Sequence, residues 1–435
     1  MPENGSGAGL QSWHHRILFT IWITYFGFYF CRKNIAAALP AIASDLGVTN
    51  AQLAILGTCL AASYAIGQFI NGQLGDRYGA RLLVTVGIVG SVLLNIAFGF
   101  SRSLRAMAVI WGANGFFQSM GWGPITKTVA NWFPQGRRGS VSGVLGTSYH
   151  LGEVATLLLT GVLLAGSHWR MMFWAPAGLL ALLGIHFAIR VRNAPEEVGL
   201  PTAEEQEDGV TQERDASADE HLGLAYTLRQ TVGNPRVWIV GVAFFWLHLV
   251  QWGFLYWSVK MFTDMHGDAL STAALKAAAI PVAGALGAIS AGWATDRLFG
   301  GRRAPLACVM IVGLAAAICL FGLMPELAGP LLVLLLGLIG FLNSGAQLIM
   351  CAPMAMDMAT RKAASAAAGF IDALGYAGVG TGIAVTGVLV DRFATATDAA
   401  PGWQAALLFW SGAAVISALL MATLWRYKPA RGAYH

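Results

Sequence analysis

Six ionisable side chains interrupt long apolar runs of this chain. They are Arg32 and Lys33 in FTIWITYFGFYFCRKNIAAALP, Lys127 in GWGPITKTVANWF, His150 and Glu153 in SVSGVLGTSYHLGEVATLLL, and Asp372 in AAAGFIDALGYAGVG. Taking such a group to membrane depth costs about a few kcal/mol or more, so each is a candidate for lining a water-filled path. Arg32 and Lys33 lie about three-fifths of the way along their run, too deep to reach either headgroup layer easily. Adjacent helical residues point about 100° apart, so at most one of the two faces a central cavity squarely. The competing reading is a structural pair neutralised by an acid elsewhere. Tyr25 and Tyr29, spaced by one turn ahead of Arg32, fall on its side of the helix, whereas Trp22, Trp252 and Tyr256 serve packing equally well. His150 and Glu153, three apart, share a helix face. They can share a proton or pair with a cationic residue, as proton relays of pumps and transporters do. Lys127 competes between cavity and snorkelling, and Asp372 between cavity and vestibule. Gln251, in FFWLHLVQWGFLYWS, offers a neutral hydrogen bond.

The elements that must position these groups follow from composition. Of 435 residues, 56% are hydrophobic and only 11% charged, against about 25% charged in soluble domains. A helix crosses the hydrocarbon core with about 20 mostly apolar residues. That ruler divides the chain into twelve predicted spans: 16–41, 52–73, 82–100, 105–132, 139–166 and 170–191, then 236–262, 271–296, 305–324, 328–356, 364–390 and 403–427. Between the sixth and seventh lies a stretch holding Glu196, Glu197, Glu204, Glu205, Glu207, Asp208, Glu213, Asp215, Asp219 and Glu220, expected to be a solvated linker. The domains expected are therefore a first bundle over 1–192, an acidic linker over 193–235 and a second bundle over 236–435. Local repetition supports two related halves. GQLGDRYGAR (Gly72 to Arg81) follows the second span and GWATDRLFGGRR (Gly292 to Arg303) the eighth, each a Gly-x-x-x-Asp-Arg stretch trailed by Gly and Arg. Gly72, Asp76, Arg77, Arg81, Asp296 and Arg297 are the candidate gate residues of these loops. The 53 glycines are spread through the spans, where small residues allow close helix approach, but their patterns single out no helix pair.

Loop charge sets orientation. Arg77, Arg81, Arg137, Arg138, Arg190, Arg192, Arg297, Arg302, Arg303, Arg361, Lys362 and Arg426 gather on one side of the expected spans, and only Arg102, Arg105, Arg170, Lys276 and Arg392 on the other. The first side is expected to be cytoplasmic, with both termini and the linker. MPENGSGAGLQSWHHR lacks the pattern of a cleaved signal, so the first apolar run is expected to remain as a span. The net charge of +5 is scattered between apolar runs, which argues against nucleic acid. Cys31, Cys59, Cys308, Cys319 and Cys351 show no metal-ligand spacing and read as buried packing residues. No nucleotide-cradling loop is present, so enzyme chemistry and ATP-driven pumping are not expected, and no cofactor or metal is implied.

Three stretches carry a resemblance: FCRKNIAAALP (Phe30 to Pro40), NGFFQSMGWGPITKTVANWFPQGRRG (Asn114 to Gly139) with TSYHLG (Thr147 to Gly152), and AAGFIDALGYAG (Ala367 to Gly378). With the linker entry NAPEEVGLP, they resemble the organophosphate:phosphate antiporters of the major facilitator superfamily, which include glycerol phosphate and hexose phosphate transporters. The resemblance implies an all-α membrane protein of twelve transmembrane helices in two six-helix bundles. It implies that Arg32 stands where the family grips phosphate from the first span, that His150 matches the histidine of the fifth, and that Lys127 matches a basic position of the fourth. Gln251 replaces a seventh-span arginine, Gln68 a second-span lysine, and Glu153 a small residue. These departures remove positive charge and add negative charge, so either another cation compensates or the solute is less negative or carries an amine.

The expectation is alternating access at a central site, with Arg32 as anion anchor, Lys33, Lys127 and His150 adding positive potential, and Tyr25, Tyr29, Gln251 and Trp252 lining it. Glu153, His150 and Asp372 are the proton-coupling candidates. A Glu153 fixed by pairing with Arg32 or Lys127 favours exchange against inorganic phosphate; titration of Glu153 and His150 favours proton coupling. The expected partners are a small anionic solute, the coupling ion and the bilayer, with a monomer in a bacterial-type inner membrane. The rival readings are a transporter-like receptor for a phosphorylated solute and an efflux permease for an unrelated organic compound.

Overall fold

The computed structural model describes residues 6–428 apart from 49, 167, 204, 206–222, 268–269, 325–328 and 396–397. The first half of the chain forms α1 (Ser6–Phe28), α2 (Asn34–Leu46), α3 (Asn50–Phe100), α4 (Leu104–Gln118), α5 (Trp122–Trp132), α6 (Arg138–Gly166) and α7 (Met171–Arg190). The second forms α8 (Leu224–Thr231), α9 (Pro235–His266), α10 (Leu270–Arg297), α11 (Arg303–Leu323), α12 (Gly329–Ile349), α13 (Ala355–Met358), α14 (Ala364–Phe393) and α15 (Ala400–Thr423). Among the described residues, eight helical stretches are long and apolar enough to cross a membrane. One of them, Ile55–Phe100, carries the second and third expected spans together. The two segments of α3 meet at Gly79, whose φ of 75° suits glycine because a side chain there would strain the backbone. A Cβ at Gly79 would also strike Asn193, whose Oδ1 accepts the Arg81 backbone N–H at 2.9 Å. Of the expected linker, Glu204, Glu207, Asp208, Glu213, Asp215, Asp219 and Glu220 lie outside the described residues.

The first expected span is not one helix. A 3-10 turn at Tyr29–Cys31 separates α1 from α2, and the carbonyl oxygen of Cys31 accepts from Asn114 Nδ2 at 2.9 Å and Asn95 Nδ2 at 3.3 Å. Asn34 closes this buried amide cluster, donating to Asn95 Oδ1 and to the Met172 carbonyl, both at 2.9 Å. A break at membrane depth survives because side chains take up the freed backbone groups. The fourth expected span breaks at Ser119–Gly121, between α4 and α5, just ahead of Pro124. A π-helical turn at Met350–Met354, containing Pro353, interrupts the chain between α12 and α13. Cys319 departs from the packing role expected of the cysteines, being exposed on α11.

Two helix pairs join the halves at the end bearing the Gly-x-x-x-Asp-Arg loops, and both depend on glycine. On α3, a Cβ at Gly72 would lie 2.9 Å from the Ser365 carbonyl oxygen and 3.2 Å from Gly369 Cα of α14. On α10, a Cβ at Gly292 would overlap the Gly139 carbonyl oxygen and lie 2.9 Å from Gly143 Cα of α6. Glycine patterns uninformative in the sequence thus mark particular crossings, because there the obstacle is backbone and cannot rotate away. Loop carboxylates fasten the same crossings. Asp76 accepts from the backbone N–H of Ser365 at 3.2 Å and of Ala366 at 2.8 Å, in the first turn of α14. Asp296 accepts from Ser140 N–H at 2.6 Å and Ser140 Oγ at 2.9 Å, in the first turn of α6. Each carboxylate meets unsatisfied donors at the positive end of a helix dipole.

Among the other expected gate residues, Arg81 stays within the first half, its Nε donating to the Ala188 carbonyl at 2.9 Å. Arg77 is exposed and sits over the Tyr78 ring at 5.1 Å, and Arg297 is exposed. Arg303 crosses between halves: its Nη2 donates to the Gln135 carbonyl at 3.0 Å while its Nε holds Asp357 at 2.9 Å. Arg138 approaches the other Asp357 oxygen at 3.6 Å. Gly292→Leu is expected to pry this end open. Overpacking of about 1–3 kcal/mol moves a two-state population about 5- to 150-fold, read as faster maleimide labelling of a cysteine introduced at Ser140.

Candidate functional site

Beyond these contacts lies a cavity of about 380 Å³ lined by α1, α3, α5, α6 from the first half and α9, α10, α12, α14 from the second. The break after α1 decides which first-span cation reaches it. The backbone N–H groups of Arg32 and Lys33 both fold onto the Tyr29 carbonyl, at 3.2 and 2.9 Å, and the two side chains then diverge. Lys33 lines the cavity. Its Nζ pairs with Glu153 Oε1 at 2.9 Å and lies 4.6 Å from the ring centre of Trp252, so it touches both halves.

Arg32 does not line the cavity. It is 6% exposed and stands behind the tyrosine wall, its guanidinium carbon 4.9 Å from the Tyr29 ring centre and 4.7 Å from that of Tyr64, two rings that do face the cavity. Its Nε donates to Gln118 Oε1 at 3.0 Å, and Gln118 is held in turn by Ser91 Oγ at 3.1 Å. The break between α4 and α5 falls directly after Gln118 and leaves its carbonyl oxygen 3.5 Å from Arg32 Nη2. No carboxylate of the described residues forms an ion pair with Arg32. Cation–π contacts and an amide carry it instead, which leaves its charge directed at the cavity wall.

Lys127 is placed away from the cavity. Its Nζ holds Asp76 at 3.2 Å and the Asp76 carbonyl at 2.9 Å, so its charge serves the gate, and Glu153 takes Lys33 as its partner instead of Lys127 or Arg32. The remaining expected residues converge. Tyr25, Tyr29, His150, Gln251, Trp252, Glu153 and Asp372 all line the cavity. His150, 8% exposed, stacks on Tyr149 with ring centres 4.4 Å apart, and its Nε2 is buried without a hydrogen-bond partner. Gln251 Nε2 donates to Gln347 Oε1 at 2.7 Å while Gln251 Oε1 is unpartnered.

Several lining residues were not singled out from the sequence. Tyr64 of α3 and Tyr376 of α14 meet across the halves with ring centres 4.3 Å apart. One turn along each helix, Gln68 Nε2 donates to Asp372 Oδ2 at 2.6 Å and to Tyr64 Oη at 2.8 Å. Trp122 Nε1 reaches the Cys351 carbonyl at 3.2 Å, within the π-helical turn. His248 and Gln347 complete the second-half wall. Helical spacing was the available signal: Tyr64 precedes Gln68 by four, Tyr376 follows Asp372 by four, and His248 precedes Gln251 by three.

The arrangement offers cations, an imidazole and amides to an anion, two carboxylates, and a wall of aromatic faces. The Lys33–Glu153 pair is partly exposed, and removing one member leaves the other uncompensated. The double substitution Lys33→Met with Glu153→Gln is expected to cost about 1–2 kcal/mol less than the sum of the two single substitutions, read by thermal unfolding in detergent.

A family model described as Major Facilitator Superfamily matches residues 21–341, and one described as Uncharacterised MFS-type transporter YbfB matches residues 260–435. A Chlamydia trachomatis relative described as "Probable hexose phosphate transport protein" is 29% identical over 84% of this chain and 82% of its own length. The Bacillus subtilis "Glycerol-3-phosphate transporter" is 28% identical over 98% of this chain and 95% of its own. The Escherichia coli "Membrane sensor protein UhpC" is 28% identical over 85% and 84%. Among solved structures, the proton:xylose symporter XylE superposes with a TM-score of 0.73 at 15% identity, covering 95% of this chain and 96% of that one. Since the family model spans well over half of the sequence and the helical architecture superposes end to end, this chain belongs to the Major Facilitator Superfamily and is a membrane transporter, not an enzyme.

Proposed function

We propose that the protein is a secondary carrier of a small organic phosphate ester or phosphonate, working by alternating access. The observation that carries this reading is the cavity shared by both halves. There Lys33 and His150, whose buried Nε2 has no hydrogen-bond partner, line the cavity, and the Arg32 charge stands behind Tyr29 and Tyr64 without a carboxylate partner among the described residues. Relatives described as hexose phosphate and glycerol-3-phosphate transporters, aligned over most of the chain, support the choice of anion. Lys33 is thereby proposed as the direct ligand and Arg32 as the source of field through the ring faces, with Tyr25, Tyr29, His150, Gln251 and Trp252 around the solute.

In the same reading the chain makes twelve crossings as two six-helix bundles, 1–192 and 236–435, joined by the acidic segment. The doubled span in α3 and the broken pairs α1–α2 and α4–α5 support that count. The Gly-x-x-x-Asp-Arg end, richest in loop arginine, is assigned to the cytoplasmic side of an inner membrane, with both termini. Its fastened crossings make this conformation closed to the cytoplasm, and the partly exposed Glu153 fits a cavity reached from outside. Glu153 held by Lys33 keeps a fixed charge, which favours exchange against inorganic phosphate over proton coupling. The protein is read as a monomer.

The sensor-like relative supplies a second reading, in which the same cavity binds a phosphate ester without carrying it. Proteoliposomes loaded with inorganic phosphate separate the two: phosphate-ester uptake independent of an imposed pH gradient is expected, and saturable binding without uptake would sink the carrier. Arg32→Gln, correctly inserted, is expected to cut uptake about tenfold, because losing one charge that acts through the ring faces costs about 1–2 kcal/mol at an effective dielectric of about 20.

A further inference from the structure

The charges around the cavity do not suit a plain dianion. Lys33 is balanced by Glu153 at 2.9 Å. Asp372 also lines the cavity and is 7% exposed, and no cationic side chain of the described residues forms an ion pair with it. Its Oδ2 has only a neutral amide, Gln68, at 2.6 Å. Lys33, Glu153 and Asp372 thus give the lining a formal charge of one negative, which Arg32 behind the rings raises to neutral. A phosphate monoester brings a charge of about −2 at neutral pH and would leave the loaded site strongly negative. Gln68 and Gln251 add no charge to counter it.

The neighbourhood of Asp372 suits a cation. Tyr376 stands one turn away on α14, its ring centre 4.3 Å from that of Tyr64, and His248 abuts Tyr376 at 6.1 Å. A buried carboxylate beside aromatic faces is the environment in which ammonium groups are held. The donors suited to an anion, Lys33, His150 Nε2 and the Gln251 amide, lie on other helices: the 3-10 break after α1, α6 and α9. Positive and negative subsites are therefore carried by separate helices around one cavity.

Building on the phosphate-ester reading, we infer that the solute is zwitterionic: an aminoalkyl phosphate ester or phosphonate whose ammonium pairs with Asp372 beside Tyr64 and Tyr376, while its anionic end meets Lys33, His150 and Gln251. Binding then supplies a counter-charge to Asp372 and lowers by one the negative charge that a plain phosphate ester would bring to the site. It also ties α14, through Asp372, to the first-half helices α1 and α6 by way of the solute.

The test uses two probes matched in shape, 2-aminoethyl phosphate and n-propyl phosphate, with purified full-length protein in phosphate-loaded vesicles. The amine probe is expected to enter about tenfold faster at limiting concentration, the worth of one charge-assisted hydrogen bond. Asp372→Asn, which keeps the side-chain shape and can still accept from Gln68, is expected to bring that ratio to about one, the variant having lost only the charge. Thermal shift of the wild-type protein by the two probes checks the preference without any variant. Uptake of n-propyl phosphate equal to or faster than the amine, or an unchanged ratio in Asp372→Asn, overturns the zwitterion and leaves the phosphate-ester carrier standing. Uptake and binding of neither probe overturn both.

Discussion

A charge carried to membrane depth needs something to answer it, and the kind of answer sorts the buried ionic groups of this protein by task. Asp76 and Asp296 are answered by backbone N–H groups at the first turns of α14 and α6, contacts that exist only while the two halves are together at that end. Arg303 and Asp357 answer one another and make one of the two crossings heavily charged, whereas the crossing at Asp76 has Lys127 alone. Lys33 and Glu153 answer each other at the edge of the cavity. Arg32 and Asp372 are answered only by rings and amides. The helix crossings are thus held by fully answered charges, and beside the cavity Arg32 and Asp372 are met without an ion pair among the described residues.

The gate and the cavity share one seam. Along α3, Tyr64, Gln68, Gly72 and Asp76 follow each other every four residues, and along α14 they face Tyr376, Asp372, Gly369 and Ser365 in reverse order. The seam is stacked rings at one end, an amide on a carboxylate next, then backbone against backbone, then a carboxylate on a helix start. Packed helices of this kind are bistable, not continuously deformable, so a change at Asp372 is transmitted only by moving the whole line. The companion seam of α6 and α10 has the glycine contact and the Asp296 contact and, among the described residues, no ring pair or amide–carboxylate bond.

Much of this was legible from residue types. The apolar runs, the repeated Gly-x-x-x-Asp-Arg loops and the intramembrane ionisable residues all rest on one-dimensional signals: length, repetition and the cost of buried charge. Lys33, His150, Glu153, Gln251 and Asp372 reached the cavity because each is a polar group that lipid would reject. What the sequence concealed were directions. Arg32 and Lys33 are adjacent, and only the 3-10 break sends Lys33 inward; that break is marked by no glycine or proline but by Asn95 and Asn114, 64 and 83 residues away. Lys127 looked equivalent to the other cations because its partner, Asp76, is 51 residues distant. The gating arginines were misjudged for the same reason: Arg81 turns to its own half and Arg303 crosses.

The three helix interruptions share a logic that bears on how such a carrier can move. Each occurs beside the cavity, at Tyr29–Cys31, Ser119–Gly121 and Met350–Met354, and each presents a group the unbroken helix would have hidden: Lys33, the Gln118 carbonyl and the Cys351 carbonyl. A broken turn in lipid is tolerable only when neighbouring side chains satisfy its backbone, and here Asn95, Asn114, Arg32 and Trp122 donate to its carbonyl oxygens. The Trp122 bond runs from α5 in the first half to the π-helical turn in the second, so it is made between elements that alternating access must separate. The Asn bonds lie within the first half and need not break. Backbone satisfaction inside a half makes that half rigid, while the Trp122 indole bond between the halves is weak enough, at about 1 kcal/mol, for a bound solute to outweigh.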